Sequence, residues 1–473
     1  MQHKPKGVRA THREYDTFLP IWQRCGDVVD GQRSMHKGGE KYLPKLKAEG
    51  VDDYKARIAR SDFFNATWRT IDGLVGMAFR KDPTVTVPAK VEPYLADIDM
   101  AGTHVHRLAK DLCEDVLEYG RIGALVDFPA MPENVTAISE QTGERMGLRP
   151  RICTYEAAAI TNWRYQTIGG ATVLVQVVLK ETAEIEVDEF TRETEDRWRV
   201  LDLEGGRYRQ RIYRIDKNGN DELVEEIYPV RNGATLSFIP FYIVGRNGLQ
   251  TSCEEPPLID LVDANIAHYQ VNSDYRHGLH FTGLPTLFLA GVTQEEGAAP
   301  FYIGSAAAIT SPHPDAKGMF IEYTGQGLGA VEKALASLER RLAVLGARMI
   351  ADENRQVETL GATQIKRAGE NSVMAAIVLA ISEVMEKCIA VMADWVGASG
   401  EVVYQINRDF VPADMDAQRL TALVGAWQSG AISEAELFDV LKRADVIDAE
   451  KTLEEHQEEV GQMTLPAPEA IAA

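Results

Sequence analysis

Two long apolar stripes, separated by a polar segment, stand out in the C-terminal half of the chain. Heptad spacing predicts one amphipathic helix through Val331, Leu335, Leu338, Leu342, Leu345 and Met349. An unbroken apolar run at 373–381 predicts the buried part of a second helix, which we expect over 371–396. The segment between the helices, 352–370, is polar and glycine-punctuated, so we expect it to face solvent or a polyanion.

The N-terminal part of the chain predicts an irregular start followed by helices. Charged residues and turn signals at Gly31, Gly38 and Gly39 favour an irregular arm over residues 1–60. Apolar residues at helical spacing predict one or two helices over 54–79. A further helix over 104–119 should precede a short apolar strand at 123–128.

The middle of the chain changes to a strand pattern. We expect an antiparallel meander with strands near 173–179, 185–190, 198–203, 208–215 and 223–228. Gly205 with Gly206, and Asn218 with Gly219, separate two strand pairs and supply the positive φ angles of tight hairpin turns.

A third pattern runs from Pro256 to the C-terminus. Pro256 and Pro257 open a predicted helix that should reach about Phe281, with an apolar first half that packs and a polar second half that does not. An insert rich in Gly, Pro and Ala (284–323) precedes the heptad helix. After the second long helix we expect a strand at 402–410, helices at 416–428 and 433–444, and a fraying acidic tail. Ser433 with Glu436 forms a capping box that starts the last helix.

Composition limits the class of protein. At 473 residues the chain has room for two or three packed units, and its net charge of −21 argues against a surface that grips nucleic acid by counterion release. An acidic wall can still let a duplex pass, and acidity for solubility alone is the plain alternative. The five cysteines are scattered, which fits a reducing compartment. We expect no signal peptide and no membrane span.

Sequence patterns with chemical meaning are weak in this chain. GQGLG at 325–329 follows an apparent strand, but its GxGxG spacing differs from a dinucleotide or P-loop fingerprint. His104 and His106 should point to different faces of a helix. His277 and His280 could bind a metal with Asp274, although interface hydrogen bonds explain them better. We expect no catalytic residues, no metal and no cofactor.

Several segments, taken in order, resemble tailed-phage portal proteins, in particular a branch long catalogued as a domain of unknown function. These segments are EKYLPK (40–45), GLVGMAFRKDP (73–83), PLIDLVDANIAHY (257–269), VETLGAT with ENS (357–363, 370–372) and NRDF (407–410). No single segment is diagnostic, and their order carries the resemblance.

The resemblance implies an α+β portal-like subunit with an α/β wing, a helical stem, a small clip insert, a long channel-facing helix and a helical crown. Its divisions would be an N-terminal arm (1–60), wing (61–255), stem helix (256–283), clip (284–325), second stem helix (326–350), channel loop (351–370), long helix and wing strand (371–412), crown helices (413–447) and flexible acidic tail (448–473).

The resemblance also implies a function without catalysis. Copies of the chain, commonly twelve, would form a ring at one capsid vertex through which double-stranded DNA is packaged and ejected. The terminase large subunit would dock on the clip, and tail adaptor proteins would replace it. The major capsid or scaffold protein would surround the ring. The protein would be assembled in the host cytoplasm and reside in the virion.

Three cations in the channel loop are the expected DNA contacts: Arg355, Lys366 and Arg367. Repeated by rotation, they would form a collar of weak phosphate contacts in an otherwise repulsive tube. Solvent exposure with ion pairing between subunits is the alternative for these residues.

Two other functions stay open. A different head or neck component, such as a minor capsid or connector protein, would lack the helix–insert–helix arrangement. A nucleotide-dependent enzyme built around 325–329 would need a parallel sheet at that position.

Overall fold

The computed structural model describes residues 6–128, 148–231, 234–283, 286–290, 314–321, 327–348, 373–408, 410, 432–443, 451–453 and 455. The chain divides into two compact units. The sheet unit comprises Met1–Asp16, Asp72–Glu254 and Ala347–Ala473, and the helix unit comprises Thr17–Ile71 and Glu255–Gly346.

Helices occur in both units. Those of eight or more residues in the described ranges, together with the short α2, are α1 (Arg13–Asp30), α2 (Gln32–Gly38), α3 (Val51–Arg60), α4 (Ala66–Ala78), α5 (Val105–Tyr119), α6 (Ile259–Thr282), α7 (Leu328–Arg348), α8 (Val373–Trp395) and α9 (Glu434–Arg443). The predicted helices at 54–79, 104–119, 257–281 and 371–396 are therefore confirmed to within a few residues, with 54–79 divided into α3 and α4.

The prediction of an irregular N-terminal segment is wrong, because α1, α2 and α3 occupy most of residues 13–60. In α1 the buried side chains of Trp22, Cys25 and Val28 recur every three residues, and their burial outweighs the break in hydrogen bonding at Pro20. Gly31 and Gly39, read as turn signals, have positive φ angles and lie at the two ends of α2.

The strands form antiparallel ladders throughout the described ranges. The strands are β1 (Thr84–Thr86), β2 (Arg121–Asp127), β3 (Arg151–Glu156), β4 (Ile160–Ile168), β5 (Ala171–Glu186), β6 (Arg192–Glu204), β7 (Arg207–Ile215), β8 (Asp221–Ile227), β9 (Val230–Arg231), β10 (Ala234–Thr235), β11 (Phe241–Gly245), β12 (Gly248–Leu249), β13 (Thr286–Ala290), β14 (Lys317–Ile321) and β15 (Val403–Gln405). The larger sheets have the orders β4–β5–β6–β7–β8 and β12–β11–β2–β3, and β1 pairs with β15, β9 with β10, and β13 with β14.

The predicted meander is confirmed, with two corrections. A separate strand at 185–190 is wrong: β5 continues to Glu186, and the chain then turns, because the Asp188 carboxylate accepts hydrogen bonds from the N–H groups of Phe190 and Thr191. The sequence analysis also missed β4, whose second half is largely exposed on both faces and so lacks a clear alternation.

Both predicted hairpin turns occur, each with its own geometry. Gly205 and Gly206 both have positive φ angles, 58° and 80°, as a two-residue hairpin turn requires. In the other turn only Gly219 has a positive φ, 84°. There the carboxylate of Asp216 accepts hydrogen bonds of 2.8 Å from the N–H groups of Asn218 and Asn220, so Asn218 does not need a left-handed conformation.

Helix α8 forms the core of the sheet unit. Its apolar run, predicted to be buried, packs against α5 and against β2, β11 and β12. Met374, Ile377 and Ile381 are fully buried. At the other end of the helix the ring of Trp395 stacks on Phe128 with 4.9 Å between centroids.

The C-terminal elements are described only in part. The strand predicted at 402–410 is confirmed over β15, which pairs with β1, while the helix predicted at 416–428 lies outside the described residues. The capping box is confirmed: the Ser433 hydroxyl accepts from the Glu436 N–H, and the Glu436 carboxylate accepts from the Ser433 N–H at 2.7 Å. The fold is α+β, as predicted.

Candidate functional site

The helix unit contains a helix, a small β-insert and a second helix in sequence order. Helix α6 ends at Thr282, the hairpin of β13 and β14 follows, and α7 begins at Leu328. This is the helix–insert–helix arrangement that the sequence predicted. The hairpin is antiparallel, with Phe288 opposite Met319.

The two helices run antiparallel, as two close approaches show. Near one end His268 of α6 faces Glu339 of α7, with 3.7 Å between Nε2 and Oε1. Near the other end a Cβ on Gly278 would lie 2.7 Å from a terminal carbon of Leu328, so Gly278 leaves space for that leucine. A later position in α6 therefore lies beside an earlier position in α7. The end of α6 and the start of α7 are neighbours, and the insert emerges between them.

Asn265 fixes α6 to the start of α4. Its fully buried side chain accepts hydrogen bonds at Oδ1 from the N–H groups of Ala66 and Thr67 and from the Thr67 hydroxyl. Its amide donates to the carbonyl of Phe64 at 2.8 Å. The N–H of Ala66 also donates to the carbonyl of Phe64, at 2.9 Å. Because the first N–H groups of any helix lack partners within that helix, Asn265 satisfies the N–H and hydroxyl of Thr67, which would otherwise be buried and unpaired.

The second half of α6 also packs, through polar contacts, which corrects the expectation that only its first half does so. Ser273 is buried and its hydroxyl lies 2.8 Å from that of Ser61. Asn272 donates to the carbonyl of Asp62, and Arg276 forms an ion pair of 2.9 Å with the Asp62 carboxylate. Hydrophobic periodicity does not register this kind of contact.

Helix α7 carries an apolar heptad stripe, here called the seam, most of which is not fully buried in the single chain; its described residues are Val331, Leu335, Leu338, Leu342 and Leu345. Of the heptad residues within the described range, Leu342 alone is buried, at 3% exposure. The others remain half-buried: Val331, Leu335, Leu338 and Leu345. An apolar heptad stripe normally packs on another helix, so this seam is suited to contact with further chains.

Exposed apolar side chains continue onto the insert. Phe288 and Met319, opposite each other in the hairpin, are 48% and 56% exposed. Leu279 and Phe281, at the end of α6, are also exposed. A two-stranded hairpin is marginally stable alone, and these side chains give it a surface that a partner can cover.

The predicted DNA contacts Arg355, Lys366 and Arg367 lie outside the described residues, as does the loop 351–370 that contains them. The structure therefore does not test their role.

The histidine pairs behave as structural residues in the described ranges. His104 is the N-cap of α5, not part of the helix, so its ring lies 4.8 Å from that of His106, and the expectation that the two point to different faces is wrong. His277 and His280 each contact the ring of Phe281. Within the described residues no group of three or more His, Cys, Asp or Glu side chains could hold a metal ion.

A buried ion pair lies close to the end of α6. Arg57 donates to both carboxylate oxygens of Glu49, at 2.8 and 2.9 Å. These hydrogen bonds lower the pKa of Glu49 to about 2. Burial, followed by Arg57 and Arg60, lowers the pKa of His277.

The glycine-rich segment at 325–329 does not have the setting of a nucleotide site. The strand before it, β14, pairs antiparallel with β13, and all strand pairs in the described ranges are antiparallel. The parallel sheet that a nucleotide-binding turn requires is therefore missing from this part of the chain.

The cysteine thiols are free and buried or half-buried. Burial raises the pKa of Cys113 to about 12 and that of Cys253 to about 11, so neither is an activated nucleophile. Among the described residues, no helix combines the length and hydropathy needed to cross a membrane.

Comparisons with known proteins place the similarity in the helix–insert–helix region and α8. Residues 257–396 match the family described as a domain of unknown function, DUF4055. No curated protein matches the chain.

Solved structures of gene transfer agent (GTA) particles align with most of the chain at low identity. A chain from the neck of an empty GTA particle, computed with C6 symmetry, has 11% identity and a TM-score of 0.40, with 80% of this chain and 89% of that chain covered. A chain from the virion of a native particle has 11% identity and a TM-score of 0.40, with 86% and 98% covered. A chain from the neck of a native particle, computed with C12 symmetry, has 12% identity and a TM-score of 0.38, with 83% and 94% covered.

The segments that carry the sequence resemblance include 257–269, 357–363 and 370–372, all within the matched region. The predicted resemblance to a branch catalogued as a domain of unknown function is therefore confirmed over residues 257–396, which are similar to DUF4055.

Proposed function

We propose that this chain is a portal subunit, which forms a ring at one capsid vertex through which double-stranded DNA is packaged and ejected. The observation that carries the proposal is the antiparallel helix–hairpin–helix of α6, β13–β14 and α7, within the DUF4055 match, with its seam on α7 half-buried in the single chain. A subunit whose stable state is a ring needs such a surface, because each copy must bury it against a neighbour.

In this proposal α6 and α7 are the two stem helices and the insert between them is the clip. Residues 61–255 form the wing, to which α8 and β15 return, and 413–447 form the crown. Residues 1–60, which are largely helical and not an irregular arm, and the acidic tail (448–473) flank these parts, and loop 351–370 lies against the channel.

The channel contact is electrostatic. A chain of net charge −21 presents walls that repel phosphate, so DNA can slide past them without sticking. Arg355, Lys366 and Arg367, repeated in every copy, supply a collar of cations that steadies the duplex without fixing it. Because these contacts are weak and sequence-independent, the ring has no preference for a DNA sequence.

The partners in this proposal are those that the resemblance to portal proteins implies. The terminase large subunit docks on the clip during packaging, and tail adaptor proteins take its place afterwards. Among the described residues of the clip hairpin, Phe288 and Met319 are exposed and offer apolar contacts to such partners. The major capsid or scaffold protein contacts the outside of the ring, and assembly in the host cytoplasm precedes incorporation into the virion.

The second candidate is another structural protein of a phage head or neck. The helix–hairpin–helix favours the portal, since a minor capsid or connector component would lack this stem. The antiparallel pairing of β14 disfavours the nucleotide-dependent enzyme.

Negative-stain imaging with mass photometry of the purified chain tests the proposal. We expect rings of about twelve copies with a central hole, alone or after addition of scaffold protein. A compact monomer or dimer that persists with scaffold, or that binds a nucleotide, would contradict it.

A further inference from the structure

A small cavity lies between α3 and the end of α6, in the helix unit. Its volume is about 450 Å³. Leu46, Ala48, Ala56 and Phe281 give it apolar walls, and Arg60 and His277 contribute nitrogen atoms. Its lining includes none of the heptad residues of α7 in the described ranges.

The cavity lining contains two nitrogen atoms without hydrogen-bond partners: Arg60 Nε, a donor, and His277 Nδ1, a donor in one tautomer of the ring. Both atoms are buried, and no described residue pairs with them. Arg60 also forms no ion pair in this part of the chain. The carboxylate of Glu49 is fully engaged by Arg57, which leaves Asp53 as the remaining acidic residue of the lining. Buried polar atoms are normally paired, and the guanidinium of Arg60 can only donate, so the cavity is suited to an acceptor from outside.

A surface of matching chemistry occurs at the turn between β5 and β6. Phe190 is 89% exposed there, and Val187 is 56% exposed. The turn is held in shape by the Asp188 carboxylate, which accepts hydrogen bonds of 2.8 Å from the N–H groups of Phe190 and Thr191. The neighbouring Glu189 is exposed and has no hydrogen bond or ion pair within the described residues.

We propose that the turn Val187–Phe190 of one copy binds in the cavity of a second copy. The Glu189 carboxylate accepts hydrogen bonds from Arg60 and His277, while the ring of Phe190 packs on Leu46 and Phe281. A bond between guanidinium and carboxylate is charge-assisted, and a buried aromatic ring is a frequent anchor of an interface.

The contact joins two different surfaces, so it is heterologous and generates a ring if the rotation closes. It therefore deepens the proposed function and rests on it for its place between neighbouring subunits. It adds a second, electrostatic contact to the apolar seam of α7.

A cyclised, fluorescein-labelled peptide of residues 183–195 tests the contact directly, because Ala183 and Glu195 are register partners and the peptide keeps the turn. Titration with the full chain should give saturable binding by fluorescence anisotropy. We expect Arg60→Glu in the protein, and Glu189→Lys or Phe190→Ser in the peptide, each to weaken binding about tenfold or more. Lys55→Glu, the same charge change on an exposed position of α3, is the matched control and should leave binding unchanged.

No binding to the unmodified chain, or equal binding to the Arg60→Glu chain, would overturn the proposal. The peptide variants keep the test valid even where Arg60→Glu impairs folding, since they leave the protein unchanged. If rings form but the peptide does not bind, this contact is excluded and the portal proposal is unaffected. Peptide binding by a chain that never forms rings would support this contact and contradict the portal proposal.

Discussion

Asn265 caps a helix that begins 199 residues earlier: its Oδ1 accepts hydrogen bonds from both the N–H group and the hydroxyl of Thr67, at 3.1 and 3.0 Å. The local cap of α4, Asn65, accepts the N–H of Trp68 at 3.0 Å. The two asparagines together satisfy the first turn of α4, which fixes α6 in the helix unit.

Replacement of Asn265 should therefore destabilise the chain strongly. Asn265→Leu leaves the N–H group and the hydroxyl of Thr67 buried without partners, whereas the N–H of Ala66 keeps its hydrogen bond to the carbonyl of Phe64, and we expect a loss of about 2–4 kcal/mol in the free energy of unfolding. Asn265→Asp keeps the acceptor and should lose less. Urea denaturation measures both, with Asn272→Ala, at a less buried site on the same helix, as the control expected to lose under about 1 kcal/mol. Equal losses for Asn265→Leu and Asn272→Ala would contradict the capping role.

Asn265 also marks the limit of what could be predicted from the sequence. Helices α5, α6 and α8, the meander and the capping box at Ser433 follow from local signals, namely periodicity, turn residues and spacing. A cap supplied from another helix leaves no local signal. The same limit explains α1, where the burial of Trp22 outweighed Pro20, and the polar packing of Ser273 against Ser61.

The candidate site, too, could be predicted from the sequence only in part. The helix–insert–helix arrangement and the heptad residues of α7 were predictable, since they depend on spacing along one segment. The cavity at Arg60 was not, because it brings α3 together with the end of α6, more than 200 residues apart in the sequence.

The ion pair of Glu49 and Arg57 predicts a pH dependence of stability. Its hydrogen bonds lower the pKa of Glu49 in the folded chain from 4.5 to about 2. A lowered folded-state pKa contributes stability that is fully present above the unfolded value and is lost as the pH falls from about 4.5 towards 2. Thermal unfolding between pH 3 and pH 7 should show this contribution.

Arg57→Met should reverse the sign of this pH dependence of stability. The variant leaves an unpaired buried carboxylate, so we expect a loss of about 3–5 kcal/mol at pH 7 that shrinks as Glu49 becomes protonated at lower pH. The double variant Glu49→Met with Arg57→Met removes both charges and should recover much of the stability. A deficit in Arg57→Met that does not change with pH would show that Glu49 is not the group responsible.

The seam on α7 predicts a defect in assembly without a defect in folding. Leu338 is half-buried in the single chain, so Leu338→Glu should lower the free energy of unfolding by only about 1 kcal/mol. In the ring the same side chain would be desolvated, and mass photometry should show a shift from rings to monomers. Ser337→Glu, an exposed position beside the seam, is the control expected to leave rings intact. Rings of normal abundance in Leu338→Glu would exclude the seam from the interface.

Charge reversal at Lys366 and Arg367 separates the channel contact from assembly. If these cations form the collar, glutamates in their place turn two positive charges in every copy into two negative ones, and the seam residues stay unchanged. Rings should therefore form normally while packaging or retention of DNA falls. Nuclease protection of DNA in particles assembled with the variant measures retention.

The matched control is the pair Lys333→Glu and Arg340→Glu, which makes the same change in charge at exposed positions of α7. Because the contact is electrostatic, raising the salt concentration during packaging should narrow the difference between the unmodified chain and the channel variant. Unchanged retention in the channel variant, or an equal fall in both variants, would return Lys366 and Arg367 to the alternative of exposed cations paired between subunits.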